Sequence, residues 1–414
     1  MKSIIKNFLF LITSQGIYKI FSFITFLLLA RCLGVSQFGL LSYAISFVYI
    51  FDFLTDFGIS VIMVRDVSGE IDKKLKKYFN NIVSLKIVLS LVVYCFIILV
   101  SFMFHEENQM VNMILILSSA LILDSFSSTF RAVFNIFEKM SVSALSMALE
   151  GLIKFSLVVI FIDYFKNNLI VAAQIFLLAS FVTFFFNIFL LRRKFIKFRV
   201  AFDRALWWKL LKVSAPIAFL ALFQTVNFRI SVVMLSKMTD SVATGIFAAG
   251  QRIIEPILVI PFTFTTAMLP TISRFVKTSA SNFSNSFNRS VIFLFLISLP
   301  FVFLLFFASK PLIVFLLGEE FAQSGNVVKI LAVLLMPFFI RPVLEYFAFT
   351  LRKYKIIYFT GIAGTGLNIF LNALFIQKLG YSGACLSMLI AESFIAIVLL
   401  IGVKRLVSQG RAII

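Results

Sequence analysis

Apolar runs of about 20 residues, the length that crosses roughly 30 Å of hydrocarbon, follow one another along nearly the whole 414-residue chain. They lie near 8–30, 40–63, 80–103, 111–136, 142–162, 169–191, 211–235, 243–268, 290–308, 326–350, 356–376 and 383–403. Inside lipid a backbone must close its own hydrogen bonds, so runs of this length are expected to be helices. Hydrophobic residues make up 61% of the sequence and charged residues only 14%, too little charge for an aqueous surface. The expected fold class is therefore an all-α integral membrane protein with about twelve transmembrane helices.

Cations interrupt this pattern. Lys19, Arg131, Lys154, Arg229, Arg252 and Arg341 sit well inside apolar runs. A cation at the centre of a membrane helix costs roughly 2.5 to 3.5 kcal/mol on insertion scales, so such residues face a water-filled cavity or a partner. A polytopic chain with a cationic interior is suited to moving something anionic, or something with an anionic head. Some of the charges have a plainer reading. Glu150 with Lys154 and Arg341 with Glu345 are four apart and Arg252 with Glu255 three apart, the spacing of intrahelical ion pairs. Lys86 and Lys329 lie near helix ends and are expected to snorkel. Lys19, Arg131 and Arg229 have no opposite charge three or four residues away, which favours phosphate contact. The planar guanidinium fork meets phosphate oxygens bidentately. Asp52 and Asp56 also lack a local cation, leaving an ion or proton site, or pairing with cations of other helices.

Polar side chains at helical spacing mark the faces expected to line a cavity. On the fourth run Asp124, Ser128, Arg131 and Asn135 share one face, and on the fifth Ser143, Ser146, Glu150 and Lys154 do. Tyr49, Asp52 and Asp56 belong to a stripe on the second, and Gln15 and Lys19 to one on the first. In the second half Gln224, Asn227 and Ser231 form a face, and Asn368 and Asn372 another. Arg131, Arg229, Arg252 and Lys19 are the expected diphosphate ligands, with Asp52, Asp56 and Asp124 as candidates for ion coupling.

Loop charge gives orientation. The net charge is +20, but the basic residues cluster between apolar runs, which argues for topology rather than for nucleic-acid binding. Lys73, Lys74, Lys76 and Lys77, then Arg192 through Lys212, then Arg352, Lys353 and Lys355 all fall on one side, cytoplasmic by the positive-inside rule. The opposite loops carry His105, Glu106, Glu107, Asp163, Glu319 and Glu320. An even number of crossings puts both termini in the cytoplasm. Gln15 and Lys19 break the first run as a signal-peptide core, so it is expected to be an uncleaved helix. Cys32, Cys95 and Cys385 show no ligand spacing, and His105 is the only histidine. No metal site, cofactor or catalytic centre is expected, and no phosphate-binding glycine loop is present.

Sliding residues 6–39 by 206 positions pairs Lys6 with Lys212, Arg31 with Lys237 and Gly39 with Gly245. The expected organisation is a six-helix lobe over 1–192, a basic linker over 193–210 and a parallel six-helix lobe over 211–414. The linker interleaves Arg and Lys with Phe195, Phe198, Trp207 and Trp208, as expected of a stretch on an anionic leaflet. All eight prolines fall in the second half, so helices there, notably those carrying Pro256 with Pro261 and Pro337 with Pro342, are expected to bend.

Several short motifs carry a resemblance. Leu33-Gly34-Val35-Ser36-Gln37-Phe38-Gly39, Asp56-Phe57-Gly58-Ile59 with Arg65-Asp66, Gly318-Glu319-Glu320-Phe321 and Leu379-Gly380-Tyr381-Ser382-Gly383-Ala384 stand at matching topological positions. In these the chain resembles the polysaccharide-transport branch of the multidrug/oligosaccharidyl-lipid/polysaccharide exporter superfamily, most of all the Wzx-type flippases for O-antigen or capsule repeat units. The resemblance implies two six-helix lobes opening alternately around a central cavity in the bacterial cytoplasmic membrane. It implies as partner a polyprenyl-pyrophosphate-linked oligosaccharide, translocated between leaflets, and other polysaccharide-assembly membrane proteins as neighbours. Tyr49, Ser128, Asn135, Gln224, Asn227, Asn368 and Asn372 would then contact sugar. The alternatives are a drug or cation antiporter of the same superfamily, and a membrane polymerase or glycosyltransferase.

Overall fold

The computed structural model describes residues 2–67, 70–104, 106–161, 164, 168–196, 199–278 and 280–408, with side chains of 2–15, 71–73, 269–271, 273–274, 277–278, 280 and 408 outside that description. The side chains of Lys6, Gln15, Lys73 and Pro270, and His105, Asp163, Lys197 and Phe198 altogether, thus lie outside the described residues. The chain is helical nearly throughout. The helices are α1 Lys2–Tyr49, α2 Asp52–Asp56, α3 Ile59–Val67, α4 Ile71–Met103, α5 Asn108–Ile136, α6 Met140–Ile160, α7 Leu169–Lys194, α8 Arg204–Met238, α9 Ser241–Ile254, α10 Val259–Thr278, α11 Ala280–Leu317, α12 Ser324–Thr350, α13 Tyr354–Leu379 and α14 Tyr381–Ser408.

Among the described residues eleven stretches are long and apolar enough to cross a membrane, the first of them the 52-residue span Gly16–Val67. That span is too long for one crossing, and Gly34 (φ 70, ψ 174) breaks it. At 52 residues the span has the length of two crossings, which is how the sequence divides it. Faces such as Leu91, Val92, Phe102 and Met103 on α4, and Phe303, Phe307 and Phe315 on α11, stay exposed, as surfaces solvated by acyl chains do.

The chain forms two compact units, one of residues 1–33 and 44–225, the other of 34–43 and 226–414. In the first, Ile59, Ile62 and Met63 of α3, Phe79 and Ile82 of α4, Phe130 and Phe134 of α5, and Leu206 and Leu210 of α8 make one buried cluster. In the second, residues 35–43 cross α9 backbone to backbone. A Cβ on Gly39 would stand 1.9 Å from the Ser241 carbonyl oxygen, and one on Gly245 2.0 Å from that of Val35. Ser36 and Ser241 share a hydrogen bond beside the crossing, at 2.7 Å. These are the two glycines that the internal repeat pairs.

Two expected helices are interrupted. The second apolar run stops at Tyr49 and is remade as α2 and α3 around Phe57 (φ 49) and Gly58 (φ 72). The eighth opens between α9 and α10, where Pro256 has no N–H to give and the chain turns through i→i+3 bonds such as Ile257 N to Ile254 O, 3.1 Å. Pro216, Pro300, Pro311, Pro337 and Pro342 remain inside helices.

The linker is pinned to α4. Backbone N–H groups of Arg199, Ala201 and Asp203, at alternate positions, donate to Asn80 Oδ1 (3.1 Å), Ser84 Oγ (3.0 Å) and Asn81 Oδ1 (2.8 Å). Asp203 then caps α8 by accepting from Leu206 N at 3.0 Å and pairs with Lys77 at 3.0 Å. The Leu206 amide on its oxygen, with Lys77, holds the Asp203 carboxyl below the ordinary carboxylate range. The cap is therefore formed at neutral pH and is lost only as pH falls through that lowered value.

Candidate functional site

The first unit holds a cavity of about 410 Å³, lined among others by Tyr49, Asp52, Asp56, Asp124, Ser128, Arg131 and Glu150. Its walls come from the interrupted second crossing and from the polar faces of α5 and α6. The three-and-four spacing of Asp124, Ser128 and Arg131 aims all three the same way. Four charges interlock at this wall. Lys154 Nζ donates to Glu150 Oε1 at 2.8 Å and stands 3.7 Å from Asp124 Oδ2, while Arg131 Nη1 donates to Glu150 Oε2 at 3.2 Å. Each buried charge is thus offset by an opposite one, without which helix insertion would be opposed by several kcal/mol. Arg131 keeps a 16% exposed side chain and lends only Nη1 to Glu150 among the described residues. The rest of its five-donor fork can serve a ligand in the cavity. Asn135, one turn beyond, is not among the lining residues named for the cavity.

Lys86, expected to snorkel, instead has a fully buried side chain. Its three donors go to Asp56 Oδ1 (2.8 Å), Ser125 O (2.8 Å) and Thr129 Oγ1 (2.7 Å), which meets the full demand of an ammonium group. Asp56 also accepts from the Ser60 hydroxyl. Of the alternatives open for Asp56, pairing across helices is the one found, while Asp52 lines the cavity with an exposed side chain.

Two charged centres stand out among the described residues of the second unit. At the break between α9 and α10, Arg252 Nη1 donates to Glu255 Oε2 at 2.7 Å and Arg229 Nη1 stands 3.7 Å from Glu255 Oε1, so two guanidinium groups converge on one carboxylate. Deeper, Arg341 bonds Glu345 Oε1 at 2.8 Å and both oxygens of Glu392 at 2.7 Å. Asn227 donates to Glu392, Asn368 to Asn227 Oδ1 at 2.8 Å, and Asn372 to Ser231 Oγ at 3.1 Å. Asn227, Asn368 and Asn372 are buried, with their amide donors engaged inside the unit. Lys19 and Gln224 are exposed on α1 and α8.

The three intrahelical pairs expected from spacing all form. Missed were Lys86 and Glu392. Glu392 is a lone acid in the middle of the last apolar run, and a search for mid-span carboxylates as well as cations would have found it.

The sequence profile of the polysaccharide biosynthesis protein family matches residues 4–276, and that of the MatE family matches 216–374. No curated protein sequence matches the chain significantly. Among solved structures, the lipid II flippase MurJ in an inward closed conformation is similar, with TM-score 0.75 and 18% identity over 95% of this chain and 87% of that one. An inward-facing multidrug resistance MATE transporter of the MOP superfamily matches with TM-score 0.72 and 16% identity, over 95% of both chains. A MOP superfamily transporter from Pyrococcus furiosus, described by the reverse polarity of its binding pocket, gives TM-score 0.66 and 16% identity over 99% of this chain and 96% of that one. The fold is that of MOP superfamily transporters and flippases, in a multi-pass membrane protein. With the profile match covering well over half its length, the chain belongs to the polysaccharide biosynthesis protein family.

Proposed function

We propose that this protein flips a polyprenyl-pyrophosphate-linked oligosaccharide, an O-antigen or capsule repeat unit, from the cytoplasmic to the outer leaflet of the bacterial cytoplasmic membrane by alternating access. The observation that carries this reading is Arg131, a partly engaged guanidinium lining a cavity inside membrane-crossing helices. A pyrophosphate bearing sugars has no route through hydrocarbon, and a cationic cavity substitutes for its hydration. Arg131 is assigned to the diphosphate together with Arg229, Arg252 and Lys19, while Tyr49, Ser128 and Gln224 are assigned to sugar hydroxyls. Asp52 and Asp124 at the cavity are the groups assigned to ion coupling.

A strain lacking the gene should accumulate an intact lipid-linked unit on the inner leaflet, and the wild-type gene should restore surface polysaccharide. Arg131→Ala and Arg229→Ala should fail to restore it at unchanged protein level, with Arg131→Lys intermediate. Full restoration by both alanine variants would overturn the assignment. The second reading, drug or cation antiport, draws on the carboxylates Asp52, Asp56, Asp124 and Glu150 around the same cavity. It requires drug resistance that follows Asp124→Asn while surface polysaccharide is untouched.

A further inference from the structure

α8 has 35 residues and is about 52 Å long at 1.5 Å per residue, well beyond the roughly 30 Å of hydrocarbon. Its apolar run begins only near residue 211, so the first two turns extend beyond that run. Those turns are two-faced. Leu206 and Leu210 are buried in the cluster formed with α4 and α5, while Arg204, Trp208, Lys209 and Lys212, spaced i, i+4, i+5, i+8, are exposed on the other side. The strap before them adds exposed Arg199, Val200 and Phe202, with Val200 75% and Phe202 71% exposed. The hydrogen bonds to Asn80, Ser84 and Asn81 fix this strap in place, and Phe202 stacks edge-on against Trp207 with ring centroids 4.8 Å apart. Its one carboxylate, Asp203, is taken by Lys77.

We propose that residues 199–212 form a binding site for anionic phospholipid headgroups, with Arg204, Lys209 and Lys212 contacting phosphate and Trp208 lying among the upper acyl and glycerol groups. The surface combines cations, to attract phosphate oxygens, with large aromatic and apolar groups that favour the membrane interface. A soluble anionic protein would match the charge but would leave Val200, Phe202 and Trp208 without apolar cover. The site does not depend on which cargo the protein carries.

The sequence supplies the reporter, because its two tryptophans, Trp207 and Trp208, both lie here. The full-length protein is placed in nanodiscs containing phosphatidylcholine and phosphatidylglycerol, with bromine on the acyl chains of one lipid or the other, and indole quenching is read in the wild type and in Trp207→Phe. Brominated phosphatidylglycerol is expected to quench out of proportion to its share, with the preference shrinking as salt is raised. Neutralising Arg204→Gln, Lys209→Gln and Lys212→Gln in turn should lower the preference for the anionic lipid by about fivefold per cation. Equal quenching by the two lipids in the wild type would overturn the proposal, as would a preference that survives the triple variant or is insensitive to salt.

Discussion

Lys86 and Asp56 form an ion pair whose two ends sit in unlike surroundings, the lysine side chain 0% exposed and the aspartate 27%. Removing one partner of a buried pair leaves the other uncompensated, typically at about 3–5 kcal/mol. The greater penalty falls on the variant that strands the more deeply buried charge. Asp56→Ala should therefore lower the thermal midpoint of the detergent-solubilised protein more than Lys86→Met, and the double variant should recover part of the loss. The reverse order would show that Ser125 and Thr129 alone can hold the ammonium group. Arg341→Met removes the guanidinium that meets both oxygens of the buried Glu392 and should reduce folded yield severely, whereas Arg341→Met with Glu392→Gln should restore part of it. Contacts of this kind were legible in the sequence only where helical geometry dictates them. Glu150 with Lys154 is fixed by a four-residue spacing, but Lys86 with Asp56 and Arg341 with Glu392 are set by which helix faces meet, and no local rule contains that.

At the level of helices, the closest approach that a single residue type permits is the crossing of residues 35–43 with α9. A methyl group on Gly245 would overlap the Val35 carbonyl, which cannot swing aside as a side chain can. Gly245→Ala should therefore destabilise by about 1–3 kcal/mol through overpacking. Gly366, inside α13 with nothing within 4 Å of where its Cβ would be, provides the contrast, and Gly366→Ala should stabilise by about 0.5–1 kcal/mol. Unfolding midpoints of the two variants shifting in the same direction would contradict this account. Most helices were visible as apolar runs, but the interruptions were less so. Pro256 announces the gap before α10, and Gly58 follows the left-handed Phe57, yet nothing in the apolar run around residues 50–51 marks the end of α1.

For the molecule as a whole, the loop charges make a topological prediction. Single cysteines replacing Lys76, Lys209 and Lys353 in a background without Cys32, Cys95 and Cys385 should be shielded from an impermeant maleimide added to intact cells, and Glu320→Cys should react. Labelling of Lys209→Cys from outside would invert the assigned orientation. Fold class and the succession of membrane-length helices were evident from apolar length alone, because the bilayer imposes both. The grouping of residues into units was not, since it depends on where a continuous helix changes its company. α1 does so at Gly34 and α8 between Thr225 and Val226, so residues 34–43 belong with a unit that otherwise begins almost two hundred positions later. A protein joined in this way does not come apart at its most obvious seam: severed within the basic linker, the carboxy-terminal piece lacks the stretch that covers Gly245, and only co-production of both pieces is expected to give folded material.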